Sequence, residues 1–103
     1  MRCRRCSPVP EEVRRGAGLL ERRWTISILY ASIEGAERFN EFRDALGRVP
    51  SATLAQRLNE LVEAGLLERC VLETRPPAVE YRLTRQGERL KPVVRELVRW
   101  CRA

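Results

Sequence analysis

Two uncharged amide side chains on a predicted helix are the groups in this 103-residue chain best suited to recognise another molecule. Leu54, Leu58 and Leu61 recur at helical spacing and define the buried stripe of that helix. Gln56 and Asn59 then lie on the opposite face, among small residues. Amide groups can pair bidentately with adenine, and small residues let a helix approach DNA closely. The predicted DNA contacts from this helix are Ser51, Ala52, Thr53, Ala55, Gln56, Arg57 and Asn59.

Within this set Arg57 has a separate role. It lies at the flank of the helix, which suits a phosphate better than a base. Taken alone, the helix fits a second interpretation equally well, in which its amides are simply solvated on a protein surface.

The four cysteines are the other chemically reactive residues, because the sequence contains no histidine. Without histidine the usual nucleophile–base pairs are unavailable, and no glycine-rich phosphate loop is present, so we expect no enzymatic activity. Only Cys3 and Cys6 have the spacing of metal ligands, whereas a structural zinc site usually needs two such pairs. We therefore expect neither a metal nor a cofactor.

Oxidant sensing is the better hypothesis for Cys3 and Cys6, since the neighbouring arginines favour the thiolate form. We expect Cys6, or Cys3, to form a disulfide with Cys101 of the partner subunit in a dimer and thereby to change DNA affinity. The alternative, that these thiols have no function, stays open. Cys70 is treated as a packing residue.

The elements around the recognition helix predict a winged helix-turn-helix. Ahead of it, Phe39, Phe42 and Leu46 line one side of a helix over about residues 37–46, and Gly47 supplies the turn. Proline is tolerated where the recognition helix starts, and a glycine closes it at position 65.

A hairpin is predicted after the recognition helix, with strands over residues 66–74 and 79–83. Pro76 and Pro77 cannot donate to a strand ladder, so they belong at its tip. Arg75 makes this tip basic, which suits an adjacent phosphate or minor groove. An ordinary hairpin loop is the alternative.

The C-terminal segment predicts one helix that begins after Thr84 and runs to about residue 101, and Pro92 should bend this helix or mark where it changes its packing partner. We expect its apolar stripe to form a dimer interface, together with an N-terminal helix over about residues 11–20. Packing against the N-terminal helix of the same chain is the alternative. The stripe consists of Leu90, Val93, Val94, Leu97 and Cys101.

Composition agrees with a small DNA-binding domain. The chain is 44% apolar and carries a net charge of +6, and all but one of its 20 basic residues are arginines. We expect a basic flexible arm over residues 1–10 and one domain over residues 11–103. No apolar run is long enough to span a bilayer and no signal peptide is recognisable, so we expect a cytoplasmic protein without a membrane partner.

Several motifs together resemble those of one family. They are Arg23-Trp24-Thr25, the run from Leu54 to Leu61, the run from Gly65 to Arg69, and the run from Pro76 to Thr84 with Gly87. Over about residues 19–100 the chain is similar to the HxlR family of bacterial winged-helix transcription regulators. The resemblance implies a homodimer on a pseudo-palindromic operator, often with an oxidant- or electrophile-sensing cysteine near the N-terminus.

The chain departs from the family pattern at three points. Glu21-Arg22 replaces a usual Gly-Gly pair, Val49-Pro50 leaves the recognition helix without a side-chain N-cap, and Ser7 separates Cys6 from the following proline. We predict a mainly α protein with a small β-hairpin that binds double-stranded DNA as a homodimeric, sequence-specific transcriptional regulator. The alternative is a winged helix used for protein–protein or RNA contact, and a small-molecule effector stays open.

Overall fold

The computed structural model describes residues 7–103, which form helices and a two-stranded antiparallel hairpin in the predicted order. Cys3 and Cys6 lie outside the described residues. The winged helix-turn-helix prediction is confirmed. The elements are α1 (Glu11–Leu20), α2 (Thr25–Ile33), α3 (Phe39–Leu46), α4 (Ser51–Glu63), β1 (Leu67–Leu72), β2 (Ala78–Leu83), α5 (Arg85–Glu88) and α6 (Lys91–Arg102).

One apolar core joins α2, α3, α4 and the hairpin. The predicted leucine stripe of α4 is confirmed, because Leu54, Leu58 and Leu61 are completely buried. Ile28 and Leu29 of α2 belong to the same core, as does Phe42 of α3. Since burying such a side chain stabilises the fold by about 1.5–3 kcal/mol, this stripe fixes which face of α4 is left outward. No helix among the described residues is long and apolar enough to cross a membrane.

Both ends of α4 follow from local chemistry. The helix begins at Ser51 after Pro50, and no side chain caps its first turn, as the sequence predicts. At its other end the Gly65 N–H donates to the Val62 carbonyl at 3.0 Å, and the Leu66 N–H donates to Leu61 at 2.9 Å. Gly65 has a φ of +79°, the left-handed conformation that this pair of hydrogen bonds requires. The predicted glycine cap is confirmed.

α3 starts two residues later than predicted, at Phe39. The Glu41 carboxylate accepts hydrogen bonds from the backbone N–H groups of Glu37 and Arg38, at 3.0 and 2.9 Å. These bonds lower the pKa of Glu41, with the one from Glu37 contributing most. They satisfy main-chain donors just ahead of the helix, so residues 37 and 38 stay outside it. Gly47 forms the turn to α4 with a φ of +74°.

The first strand of the hairpin ends two residues earlier than predicted, at Leu72, and the second begins one residue earlier than predicted, at Ala78. Its register pairs Leu67 with Leu83 and Leu72 with Ala78, which leaves residues 73–77 as the tip. The tip contains both prolines, as expected from their missing N–H groups. The Tyr81 N–H donates to the Glu37 carbonyl at 2.7 Å and so attaches the hairpin to the entry of α3.

The prediction of one C-terminal helix is wrong. Thr84 caps the first piece as predicted, since its hydroxyl accepts from the Gly87 N–H at 3.0 Å. That piece, α5, ends at Glu88, and a second helix, α6, begins at Lys91. Pro92 lies in the first turn of α6, where its missing N–H costs nothing, so it starts a helix rather than bending one.

Candidate nucleic-acid interface

The outward face of α4 is small, polar and largely uncharged. Ser51, Ala52, Gln56 and Asn59 are exposed, and Thr53 and Ala55, at the margins of the face, are half-buried. The amides of Gln56 and Asn59 have no hydrogen-bond partner within residues 7–103. Since the opposite face is fixed in the core, this face keeps its donors and acceptors available to another molecule.

The hairpin tip presents one basic side chain. Residues 73–77 are all exposed, and the Thr74 hydroxyl donates to the Pro76 carbonyl at 2.8 Å, which stiffens the tip. Arg75 projects from this segment and makes no ion pair within the described residues. Its guanidinium is therefore available to a phosphate.

Arg57 has a different environment from the one expected. Its side chain is only 13% exposed. Its Nε donates to the Arg23 main-chain carbonyl at 2.9 Å, and one terminal nitrogen lies 3.3 Å from the Glu60 carboxylate. In the described chain Arg57 is thus held by partners on its own and neighbouring elements, and its contact with a phosphate stays a prediction.

The base of the hairpin carries an ion-pair cluster that sequence analysis did not identify. Arg82 lies 2.6 Å from Glu80 and 3.2 Å from Glu37, and Arg38 lies 3.8 Å from Glu80. The hydrogen bond that the Arg82 guanidinium donates to the Glu80 carboxylate is the main cause of the raised pKa of Arg82. These arginines are neutralised by neighbouring carboxylates, so the cluster secures the hairpin to α3 and adds little to the positive field of the surface.

The predicted apolar stripe of α6 is divided between two environments. Val94 is buried in the core of its own chain and Leu90 packs partly against that core. Val93 and Leu97 are exposed, as is Cys101. The closest packing of α6 within the chain is with α2 rather than α1. Val94 is thus committed to the chain's own core, and the outward part of the stripe is narrower than predicted.

Further exposed apolar residues lie at both ends of the described chain. Trp100 is 76% exposed. It follows Val93 and Leu97 at helical spacing, and this periodicity would have placed it on the apolar stripe in the sequence. At the other end, α1 has no buried residue, and Val9 and Val13 are exposed. These side chains are apolar area that the described chain does not cover.

An open groove of about 800 Å³ lies between α2, α3 and α6. Trp24 and Tyr30 line it from α2 and its N-terminus, and Leu97, Val98 and Cys101 line it from α6. Cys70 lies elsewhere, half-buried in β1. Among residues 7–103 no three metal-ligating side chains cluster.

Comparison with known proteins gives matches over most of the chain. Residues 19–103 match the model of the family described as HxlR-like helix-turn-helix. The chain is 34% identical over 83 residues to YvaP of Bacillus subtilis, an uncharacterized HTH-type transcriptional regulator, and the match covers 81% of this chain and 77% of YvaP. The chain spans only 61% of the length of another B. subtilis relative, to which it is 38% identical.

Solved structures of other regulators share this fold, and two of them illustrate the similarity. The reduced form of the transcriptional regulator YodB from B. subtilis superposes with a TM-score of 0.80 at 31% identity, covering 90% of this chain and 91% of YodB. The reduced form of the redox regulator HypR gives a TM-score of 0.81 at 33% identity, covering 87% of this chain and 89% of HypR.

Proposed function

Because this chain belongs to the HxlR-like helix-turn-helix family of transcriptional regulators, we propose that it binds a specific DNA operator as a homodimer and responds to oxidants through cysteine. The observation that carries operator binding is the outward face of α4. That face combines unpartnered Gln56 and Asn59 amides with the small side chains of Ser51 and Ala52. A helix of this kind fits the major groove, where an amide can pair with adenine.

The hairpin adds contacts that do not depend on sequence. Arg75 at the exposed tip binds a phosphate or the adjacent minor groove, while the α4 amides distinguish bases. The net charge of +6 favours association with DNA of any sequence. Because DNA must be accessible to it, the protein acts in the cytoplasm.

The homodimer is supported by the exposed apolar residues of α1 and α6. Val93, Leu97 and Trp100 on α6, with Val9 and Val13 near α1, provide apolar area that the chain itself does not cover. A domain this small also gains stability when it buries such area against a second copy. In the dimer the two α4 helices face half-sites about 34–36 Å apart, which predicts a pseudo-palindromic operator.

The oxidant response is supported by the exposed Cys101 and by two structural relatives. YodB has been solved in reduced and diamide-treated forms, and HypR is named as a redox regulator. In the proposed step, the thiols of Cys6 or Cys3 and of Cys101 of the partner subunit lose two protons and two electrons to diamide, which is reduced to the hydrazine. The resulting disulfide changes the spacing of the two α4 helices.

Operator binding is tested by selecting bound sequences from a random duplex library and measuring anisotropy against a scrambled duplex. Gln56→Ala should weaken binding to the selected duplex by about 1–3 kcal/mol, and Gln86→Ala, the same change on exposed α5, should have no effect. Arg75→Ala should weaken binding to every duplex and reduce the salt slope by about 1 per subunit. Weak binding, equal on both duplexes for all variants, would instead favour a protein-interaction or RNA-binding role.

The disulfide is tested by non-reducing electrophoresis after diamide treatment. We expect a band at the size of a dimer that Cys101→Ser abolishes and Cys70→Ser retains. If no such band forms, or if Cys101→Ser leaves it unchanged, the proposed cysteine pair is refuted, while the operator test is unaffected.

A further inference from the structure

A cluster of ionic groups connects α4 to the turn between α1 and α2. We call it the α4 clamp, and it consists of Arg22, Arg57, Glu60 and the main-chain carbonyl of Arg23. Glu60 lies 3.0 Å from the Arg22 guanidinium and 3.3 Å from that of Arg57. The Nε of Arg57 also donates to the Arg23 carbonyl at 2.9 Å. Arg57 therefore uses two sides of its planar group at once, which fixes its position.

The clamp acts on an unusual piece of backbone. Trp24, directly after the bound carbonyl, has a φ of +80°, a conformation that non-glycine residues seldom adopt. The Arg23 guanidinium lies 4.9 Å from the centre of the Trp24 ring, and that ring lines the groove beside α6. A bulky residue in this conformation persists only where its surroundings hold it. The hydrogen bond from Arg57 is one of the contacts that do so.

Because the Arg57–Glu60 pair is partly buried, its interaction is stronger than that of an ion pair on the surface. Arg57 is 13% exposed and Glu60 27%, so solvent screens the pair only in part. The closest packing of α4 is with α3 and β1, not with α2. The contacts of Arg57 and Glu60 thus join α4 to the α1–α2 turn, to which its closest packing does not extend.

We propose that Arg57 and Glu60 are positioning residues that set the orientation of α4 relative to the α1–α2 turn, and hence the sequence preference of the protein. This inference rests on the proposed role of α4 in operator binding. Gln56 and Asn59 flank Arg57 in sequence, so a small rotation of α4 at the clamp moves both amides relative to base edges. Neither clamp side chain touches DNA in this arrangement.

The effect of Glu60→Gln on DNA affinity distinguishes a positioning role from an effect of charge alone. Glu60→Gln and Glu63→Gln each remove one negative charge from α4, and Glu63 is exposed without an ion pair in the described part of the chain. If charge alone matters, both variants bind all DNA somewhat more tightly. If the clamp positions α4, Glu60→Gln lowers the ratio of selected to scrambled affinity by about tenfold, the scale of a hydrogen bond to a charged group. Glu63→Gln leaves that ratio unchanged.

Arg57→Lys provides a second comparison. Lysine keeps the positive charge but lacks the fork that joins the Arg23 carbonyl to Glu60. We expect the affinity ratio to fall as in Glu60→Gln, with the salt slope unchanged. A phosphate contact predicts the opposite, because lysine would retain most of the binding. Circular dichroism and thermal unfolding identify any variant that fails to fold.

A measurement without DNA tests the clamp itself. In a Trp100→Phe background Trp24 is the only tryptophan. When it is excited at a wavelength that tyrosine does not absorb, Glu60→Gln should increase the quenching of its fluorescence by acrylamide, whereas Glu63→Gln should not. Unchanged quenching and an unchanged affinity ratio would overturn the proposal, and so would increased quenching with an unchanged ratio. A wild-type protein without sequence preference would refute operator binding, and with it the positioning role, while the quenching comparison would still decide whether the clamp holds Trp24.

Discussion

Replacing Gly87 with alanine should separate α5 from the start of the hairpin. Gly87 is buried, and a Cβ there would lie 2.9 Å from the Leu83 side chain and 3.1 Å from the Leu66 carbonyl carbon, with the Leu66 carbonyl oxygen closer still. That oxygen cannot easily withdraw, because it accepts a hydrogen bond from the Thr84 N–H at 3.1 Å. The backbone at Gly87 or the backbone at Leu66, just ahead of β1, must therefore move.

The magnitude follows from two opposing terms. The loss of stability from overpacking against backbone atoms is at the upper end of the usual range for overpacking, about 3 kcal/mol. Alanine regains about 1 kcal/mol relative to glycine within a helix, since Gly87 has an ordinary helical φ. The net loss in the free energy of unfolding is about 2 kcal/mol, which lowers the Tm of a domain of this size by about 8–16 °C.

Thermal unfolding followed by circular dichroism, at one protein concentration, measures this loss. Gly16→Ala is the matched control, because among the described residues no atom outside its own stretch of α1 lies within 4 Å of its Cβ position. It should raise the free energy of unfolding by about 0.4–1 kcal/mol. A Tm for Gly87→Ala that equals or exceeds that of the wild type would refute the contact between α5 and the hairpin as described.

Three further predictions concern the helix cap, the dimer and pH. Gly65→Ala should destabilise the chain by about 1–2 kcal/mol in thermal unfolding, because its φ of +79° strains any residue with a Cβ, and Gly65→Asn should cost less. Trp100→Ala should raise the dimer dissociation constant about 30-fold or more in sedimentation equilibrium, while Arg99→Ala should change it little. Glu41→Gln should lower the Tm at pH 7, because the two backbone hydrogen bonds stabilise the ionised form of Glu41. The difference in Tm should vanish as pH falls below the ordinary carboxyl pKa of 4.5 and through the lowered pKa of the folded state. Equal Tm differences at pH 7 and in acid would contradict that account.

The candidate DNA-binding surface was largely predictable because it depends on local periodicity. Once the stripe of Leu54, Leu58 and Leu61 is assigned to the core, the 3.6-residue repeat places Gln56 and Asn59 outward. The glycine cap of α4 and the threonine cap of α5 are likewise short-range patterns, in which a side chain or a backbone conformation serves the nearest turn.

Two findings that the sequence did not predict, the intrachain contacts of Arg57 and the burial of Val94, have a shared physical origin. Arg57 has a long side chain with several rotatable bonds, and its carbonyl partner comes from a residue 34 positions earlier in the chain. No helical pattern records which distant group such a side chain meets. Similarly, the periodicity around Val94 shows that this face of the helix is apolar, but the position of α2 decides that Val94 is buried within its own chain.

The amino-acid sequence by itself determined the winged helix-turn-helix, the outward face of α4 and the two-proline hairpin tip, because each rests on the spacing of neighbours along the chain. Only the tertiary structure decided that Arg57 joins a clamp, that Val94 is buried within its own chain, and that Trp100 remains exposed. Those outcomes depend on which elements come together in space, since burial and ion pairing are properties of residues that are distant in sequence and adjacent in the fold.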